Sequence, residues 1–187
     1  MTRHVAFVGV ETENEYPPYG DILAVHAFID HEAFVPVEVE LEKSGTVRNP
    51  HVVSEREHAI ARIRDLLEGA QVVSVNASVD EAKLRLLLAE AGLDAPWYGR
   101  FRDAVDAGSA LLRARVNSGE LVDLVDLRSD REVSRAVGVA PPRHQDQHAA
   151  RTRASWARDL WAAVNETSSD ASNTGVTVTF GSETEKQ

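Results

Sequence analysis

The chain contains no cysteine. That excludes disulfides, a zinc–thiolate site and a thiol nucleophile. It has no apolar run approaching the length of a membrane span. The opening Met-Thr-Arg-His and the short apolar run after it lack a signal peptide's length and its small-residue cleavage site. A soluble, cytoplasmic protein is the expectation. Positive charge is in deficit: 20 Lys and Arg stand against 30 Asp and Glu, a formal net charge of −10. This argues against a general electrostatic affinity for nucleic acid, though a local basic groove beside an acidic site is compatible with it.

What remains is ordinary globular material. The 187 residues are 43% hydrophobic and 27% charged, enough for one well-cored domain and too short for two. Residues 4–10 read as a buried strand, rich in Val and without internal charge. The Pro-Pro turn at 14–20 separates it from strands at 22–29 and 33–41, which should form an antiparallel meander with the first. Ser54 opens a helix to about Glu68, with Gly69 at its C-cap. A strand at 71–75 and a helix at about 79–91 follow. This order brings the fourth strand into the sheet by a crossover. Helical patterns near 103–115 and 129–137 lead to Pro141-Pro142. A last helix over 147–164 should bury Ala150, Ala154, Ala157, Leu160, Trp161 and Val164. From about residue 166 the composition turns to Ser, Thr, Asn, Gly and Glu. We read 1–165 as one domain and 166–187 as a disordered polar tail. Within the tail, Val176-Thr177-Val178-Thr179-Phe180 alternates and could pair with a sheet edge or a partner.

Two apolar strands end in acids. The first is Val8-Gly9-Val10-Glu11-Thr12-Glu13, and the second is Val75-Asn76-Ala77-Ser78-Val79-Asp80. Converging carboxylates are the ligand type that holds a pair of Mg²⁺ ions for hydrolysis. Each acid also has a plainer use. Asp80 in the first turn of a helix is favoured by the helix dipole, and Asn76 can satisfy backbone groups at a strand end. His144-Gln145-Asp146-Gln147-His148 has ligand chemistry for zinc or manganese, yet it stands between two prolines and a helix, where polar residues serve capping and exposure. Arg143, Arg151, Arg153 and Arg158 cluster late in the chain and read as a solvated helix face. Trp156 and Trp161 lie at helical spacing and read as core. Trp97 and Tyr98, beside Arg100 and Arg102, are the better base-stacking candidates.

The order and spacing of these motifs resemble the DnaQ-like (DEDDh) 3′–5′ exonucleases. The family's first strand ends Asp-x-Glu-Thr, where this chain has Gly9-Val10-Glu11-Thr12. Its second motif, Asn-Ala-x-Phe-Asp, matches Asn76-Ala77-Ser78-Val79-Asp80. Its third, a His with an Asp five residues later, meets His148 and Arg153. The resemblance covers about residues 4–164. It implies a ribonuclease H-like α/β fold: a mixed five-stranded sheet, with a three-strand antiparallel meander plus parallel strands, flanked by helices. It also implies two metal ions, Mg²⁺ or Mn²⁺, held by four acids, with the His as general base. Asp103 matches a family acid that is not a metal ligand.

On that resemblance Glu11, Asp80 and His148 are the remnants of the catalytic set, with Glu11 and Asp80 as weak metal ligands or none. Gly9 and Arg153 replace the other two acids. Arg153 could pair with Asp80 or Glu11 and stand in the metal's place. Glu13, on the same strand face as Glu11, is a compensating acid in a rearranged site. Thr12, Asn76, Trp97 and Arg153 are the substrate-side residues. The expectation is a catalytically impaired exonuclease-fold protein that binds single-stranded nucleic acid or a protein. The alternative is an active metal-dependent exonuclease using Glu11, Glu13, Asp80 and His148. A third reading is a structural protein that holds a partner through the acidic surface or the tail. Gly9→Asp with Arg153→Asp should, on the first reading, raise Mg²⁺-dependent activity.

Overall fold

The computed structural model describes residues 4–12, 22–29, 37–40, 50–120, 126–147 and 149–173, with the backbone alone over 37–40, 50–55 and 167–173. Strand β1 (Val5–Thr12) is central. It pairs antiparallel with β2 (Ile22–Ile29), which pairs antiparallel with β3 (Val37–Glu40). On its other side β1 pairs in parallel with β4 (Gln71–Ser74). Four strands in the order β3-β2-β1-β4 thus form a mixed sheet. The two-residue β5 (Arg102–Asp103) lies parallel along the outer edge of β4. Residues 102–103 carry no strand signature of their own, and the pairing alone makes them one.

Helix α1 (Pro50–Leu66) makes the crossover from β3 to β4. It begins four residues before Ser54, with a proline at its first position, where a missing N–H costs nothing. Helix α2 (Ala77–Glu90) follows β4 after Val75 and Asn76. Then come α3 (Ala104–Ser118), α4 (Asp130–Ala136) and α5 (Ala150–Asn173). Of the third expected strand, 33–41, only 37–40 falls within the described residues. Helix α5 runs on to Asn173, so the tail reading of 166–173 gives way to helix. Once a helix is nucleated, each added residue needs no new nucleus, even where the composition is poor. Residues 174–187, including the alternating Val176–Phe180, lie outside the described residues.

Two apolar layers sandwich the sheet, and the two-residue period of β1 sorts them. Ala6, Val8 and Val10 face α1 and α2, packing with Ile60, Ile63, Leu84 and Leu88. Phe7 faces the other way, with Ala154, Ala157 and Leu160 of α5 and Leu112 of α3. Gly9 and Glu11 share that second face, because side chains two apart point the same way. Ala150, Ala154, Ala157, Leu160 and Val164 are buried as their spacing predicts. Trp156 is buried too, its Nε1 donating to the Ser134 Oγ at 2.9 Å. Trp161 is only partly buried.

A candidate site where helix α5 meets the ends of β1 and β4

Three sequence-predicted residues come together here, and each is engaged. Glu11 ends β1 just before a register shift between Glu11 and Thr12. Its Oε2 accepts from the backbone N–H of Ala150 at 3.4 Å. A carboxylate at that place complements the dipole of α5. Asp80 lies in the first turn of α2 and is 1% exposed. The Ser74 hydroxyl donates to its Oδ2. The Arg153 Nη2 reaches both carboxylate oxygens, at 3.0 and 3.3 Å. One nitrogen spans both oxygens, in place of the parallel two-nitrogen fork a guanidinium can also form. The Arg153 Nε is buried without a hydrogen-bond partner among the described residues.

Gly9 is where α5 touches the sheet. A Cβ at this position would collide with the Ala150 carbonyl oxygen, and would stand 2.8 Å from the Ala154 nitrogen and 2.9 Å from the Arg153 Cβ. Two of these atoms belong to the helix backbone, which cannot rotate aside. Any side chain at position 9 therefore displaces the helix. The expectation that Gly9→Asp would rebuild a metal site is corrected by this contact: an acid at position 9 has no room.

Burial governs the electrostatics. Desolvation pushes the Asp80 carboxyl up from 3.8 to about 6. Arg153 and Ser74 oppose this, and the nearby Asp103 charge reinforces it. Burial likewise raises Asp103, against the backbone N–H groups of Ala77, Asp106 and Val105 that it accepts from. Those bonds show what Asp103 does: it caps α3 and ties the start of α2 to β5. Asp130, which sequence reasoning missed, is raised first by burial and next by Asp103, while Arg153 lowers it. Its only sequence signal was a place in the first turn of α4.

The remaining candidates are placed as follows. Asn76 precedes α2 and makes no side-chain cap, although its N–H donates to the Ser74 Oγ at 3.2 Å. Thr12 ends β1 opposite Ile22. Trp97 is not a stacking platform. It is 7% exposed, edge-on to Phe101 at 5.0 Å between ring centres, and the Arg85 guanidinium covers it at 5.0 Å. Tyr98, at 52% exposure, is the accessible aromatic. Glu13 and His148 lie outside the described residues. His144 and Asp146 are exposed in a turn.

The donor set does not fit a pair of divalent ions. Asp80 is already bonded to a guanidinium and a hydroxyl, and Glu11 faces a helix N-terminus. Among the described residues no three His, Cys, Asp or Glu side chains converge as metal ligands. No helix among them is long and apolar enough to cross a membrane.

No protein-family model and no curated protein sequence matches the chain. Its architecture is similar to that of E. coli exonuclease I. Against that enzyme in complex with a dT13 oligonucleotide the TM-score is 0.64 at 14% identity, covering 93% of this chain and 43% of that one. Against exonuclease I in a structure addressing how processivity is achieved, the TM-score is 0.61 at 14% identity, covering 89% and 41%. Against an ExoI/SSB-Ct complex it is 0.61 at 13%, covering 89% and 42%. The chain therefore spans less than half of each of these proteins, and shares with them an exonuclease fold.

Proposed function

We propose that this chain is a DnaQ-like exonuclease-fold module of nucleic-acid metabolism in which the metal site has become a structural joint, leaving a module that binds and does not hydrolyse. The observation that carries the reading is the seating of α5 on Gly9. On the family's pattern an acid belongs at that position, and here a helix backbone fills its place. The other two contacts agree. Glu11 is spent on the start of α5 and Asp80 on Arg153. A guanidinium beside Asp80 supplies positive charge where the family holds cations, but it is no Lewis acid and cannot turn a bound water into a hydroxide nucleophile as a divalent metal would.

The natural ligand of such a module is single-stranded nucleic acid, and the binding face is the arginine-bearing side described below. The test uses a labelled dT13 oligonucleotide with purified protein in Mg²⁺ and in Mn²⁺. Binding without digestion is expected. Digestion that disappears in Asp80→Asn would overturn the proposal in favour of the rearranged catalytic set Glu11, Glu13, Asp80 and His148.

A further inference from the structure

Beside the sealed joint lies an open groove of about 990 Å³, between α2, β5, α3 and the outer part of α5. Its floor is made of small residues, with Ala77 and Ala82 from α2 and Ala107 and Ala110 from α3. Trp161 and Val164 of α5 form one apolar wall. Arginines 85, 100 and 102 also line it. Arg85 is held by Glu81 at 2.6 Å. Arg100 and Arg102 are exposed and make no ion pair among the described residues. Glu81, Asp103 and Asp106 line the groove as well. Glu81 is taken up by Arg85 and Asp103 by backbone N–H groups, so Arg100 and Arg102 are the lining guanidiniums that no carboxylate holds among the described residues. The groove also runs along β5, the outermost strand on its side of the sheet, and an unpaired edge is a template for an extended segment.

One segment of the chain has matching chemistry and starts nearby. Helix α5, which supplies the apolar wall, ends at Asn173. That is eight residues, roughly 12 Å, past the groove-lining Asn165. The fourteen residues 174–187 span up to about 46 Å when extended, enough to turn back along the groove. They open with Val176, Val178 and Phe180 alternating with threonines, then carry Glu183 and Glu185. Small-floored grooves accept alternate side chains of an extended strand, and carboxylates suit free guanidiniums.

We propose that the segment Val176–Glu185 is the groove's own occupant, with its apolar side in the alanine-floored channel and its glutamates against Arg100 and Arg102. In this position it shields the two guanidiniums from phosphate backbones and competes with nucleic acid for the same face. The second part rests on the function proposed above; the docking itself does not.

The absence of cysteine makes the test direct in the full chain. Pairs of introduced cysteines, Ser182→Cys with Ala110→Cys in the groove and Ser182→Cys with Glu57→Cys on α1, are oxidised under mild conditions. The groove pair should close an intramolecular disulfide about tenfold faster or more. Adding Arg100→Glu and Arg102→Glu should slow it by about tenfold, within the range that two exposed ion pairs contribute. Equal rates for the two pairs, disulfide-linked dimers in place of the intramolecular bond, or indifference to the charge reversal would each overturn the docking. A dT13 oligonucleotide should slow closure of the groove pair. If closure prefers the groove and follows charge but dT13 has no effect, docking stands and the nucleic-acid role of this face falls. If dT13 binds while closure shows no preference for the groove, the opposite holds.

Discussion

Two neighbouring regions treat charge and space in opposite ways. At the joint of β1, β4 and α5 the buried Asp80 meets Arg153, the half-buried Glu11 meets the start of α5, and the helix sits so close that only glycine fits at position 9. In the groove that begins at Glu81, next to Asp80, alanines line the space and Arg100 and Arg102 are exposed with no ion pair among the described residues. The joint is packed like a core. The groove carries no catalytic signature, yet it has the exposed cations and unfilled space that a binding surface needs. Buried, satisfied groups serve stability; exposed, unsatisfied ones are available to ligands.

Opening the joint should have the largest effect. Gly9→Ala is expected to cost about 3 kcal/mol, and Gly9→Asp more, because the added carbon meets helix backbone. Chemical denaturation would read this as a lower midpoint, and a neutral outcome for Gly9→Asp would mean that α5 is not seated as described. Next comes Arg153→Met, which leaves the Asp80 carboxyl buried without its cation. Breaking a buried pair by removing one partner costs on the order of 3 kcal/mol near pH 8. The loss should shrink near pH 5, where Asp80 can take a proton and no longer needs the guanidinium.

Asp80 itself sharpens the contrast through pH. Its folded pKa, about 6, stands above the ordinary 3.8, so the folded state binds the proton more tightly than the unfolded one. Stability from this group therefore grows as pH falls from above 6 towards 4, and is lost as pH rises through 6. Asp80→Asn cannot titrate. Relative to this variant the wild type should gain up to about 3 kcal/mol of stability as pH falls from about 8 to 4. A relative loss over that range would mean the Arg153 pair outweighs burial. Trp156→Phe comes next, losing one buried hydrogen bond to Ser134, about 1 kcal/mol. Arg100→Glu with Arg102→Glu should be smallest in stability, within about 0.5 kcal/mol, while changing what the groove binds.

Much of this was legible in the residues. The strands at β1, β2 and β4 announced themselves as apolar runs, the first and last of them leading into acids, and the apolar stripe of α5 at positions 150, 154, 157, 160 and 164 was read from its spacing. The resemblance put Arg153 beside either Asp80 or Glu11, and the structure pairs it with Asp80. Trp97 was misplaced because local sequence beside two arginines looks like an exposed platform. Only the packing of Phe101 and Arg85 around the ring buries it. The end of α5 was misplaced because composition describes average preference, whereas a growing helix needs only its last turn for support.

By itself the sequence determined the alternation that sorts the two layers of the core, the acids at the two strand ends and the absence of any thiol. Those are properties of residue type and period, carried locally. The tertiary structure decided how closely α5 approaches Gly9, which cation meets Asp80, and that a groove stays open beside β5. Each depends on distances between segments far apart in the chain, from 9 to 150 and from 77 to 164, which no local period encodes.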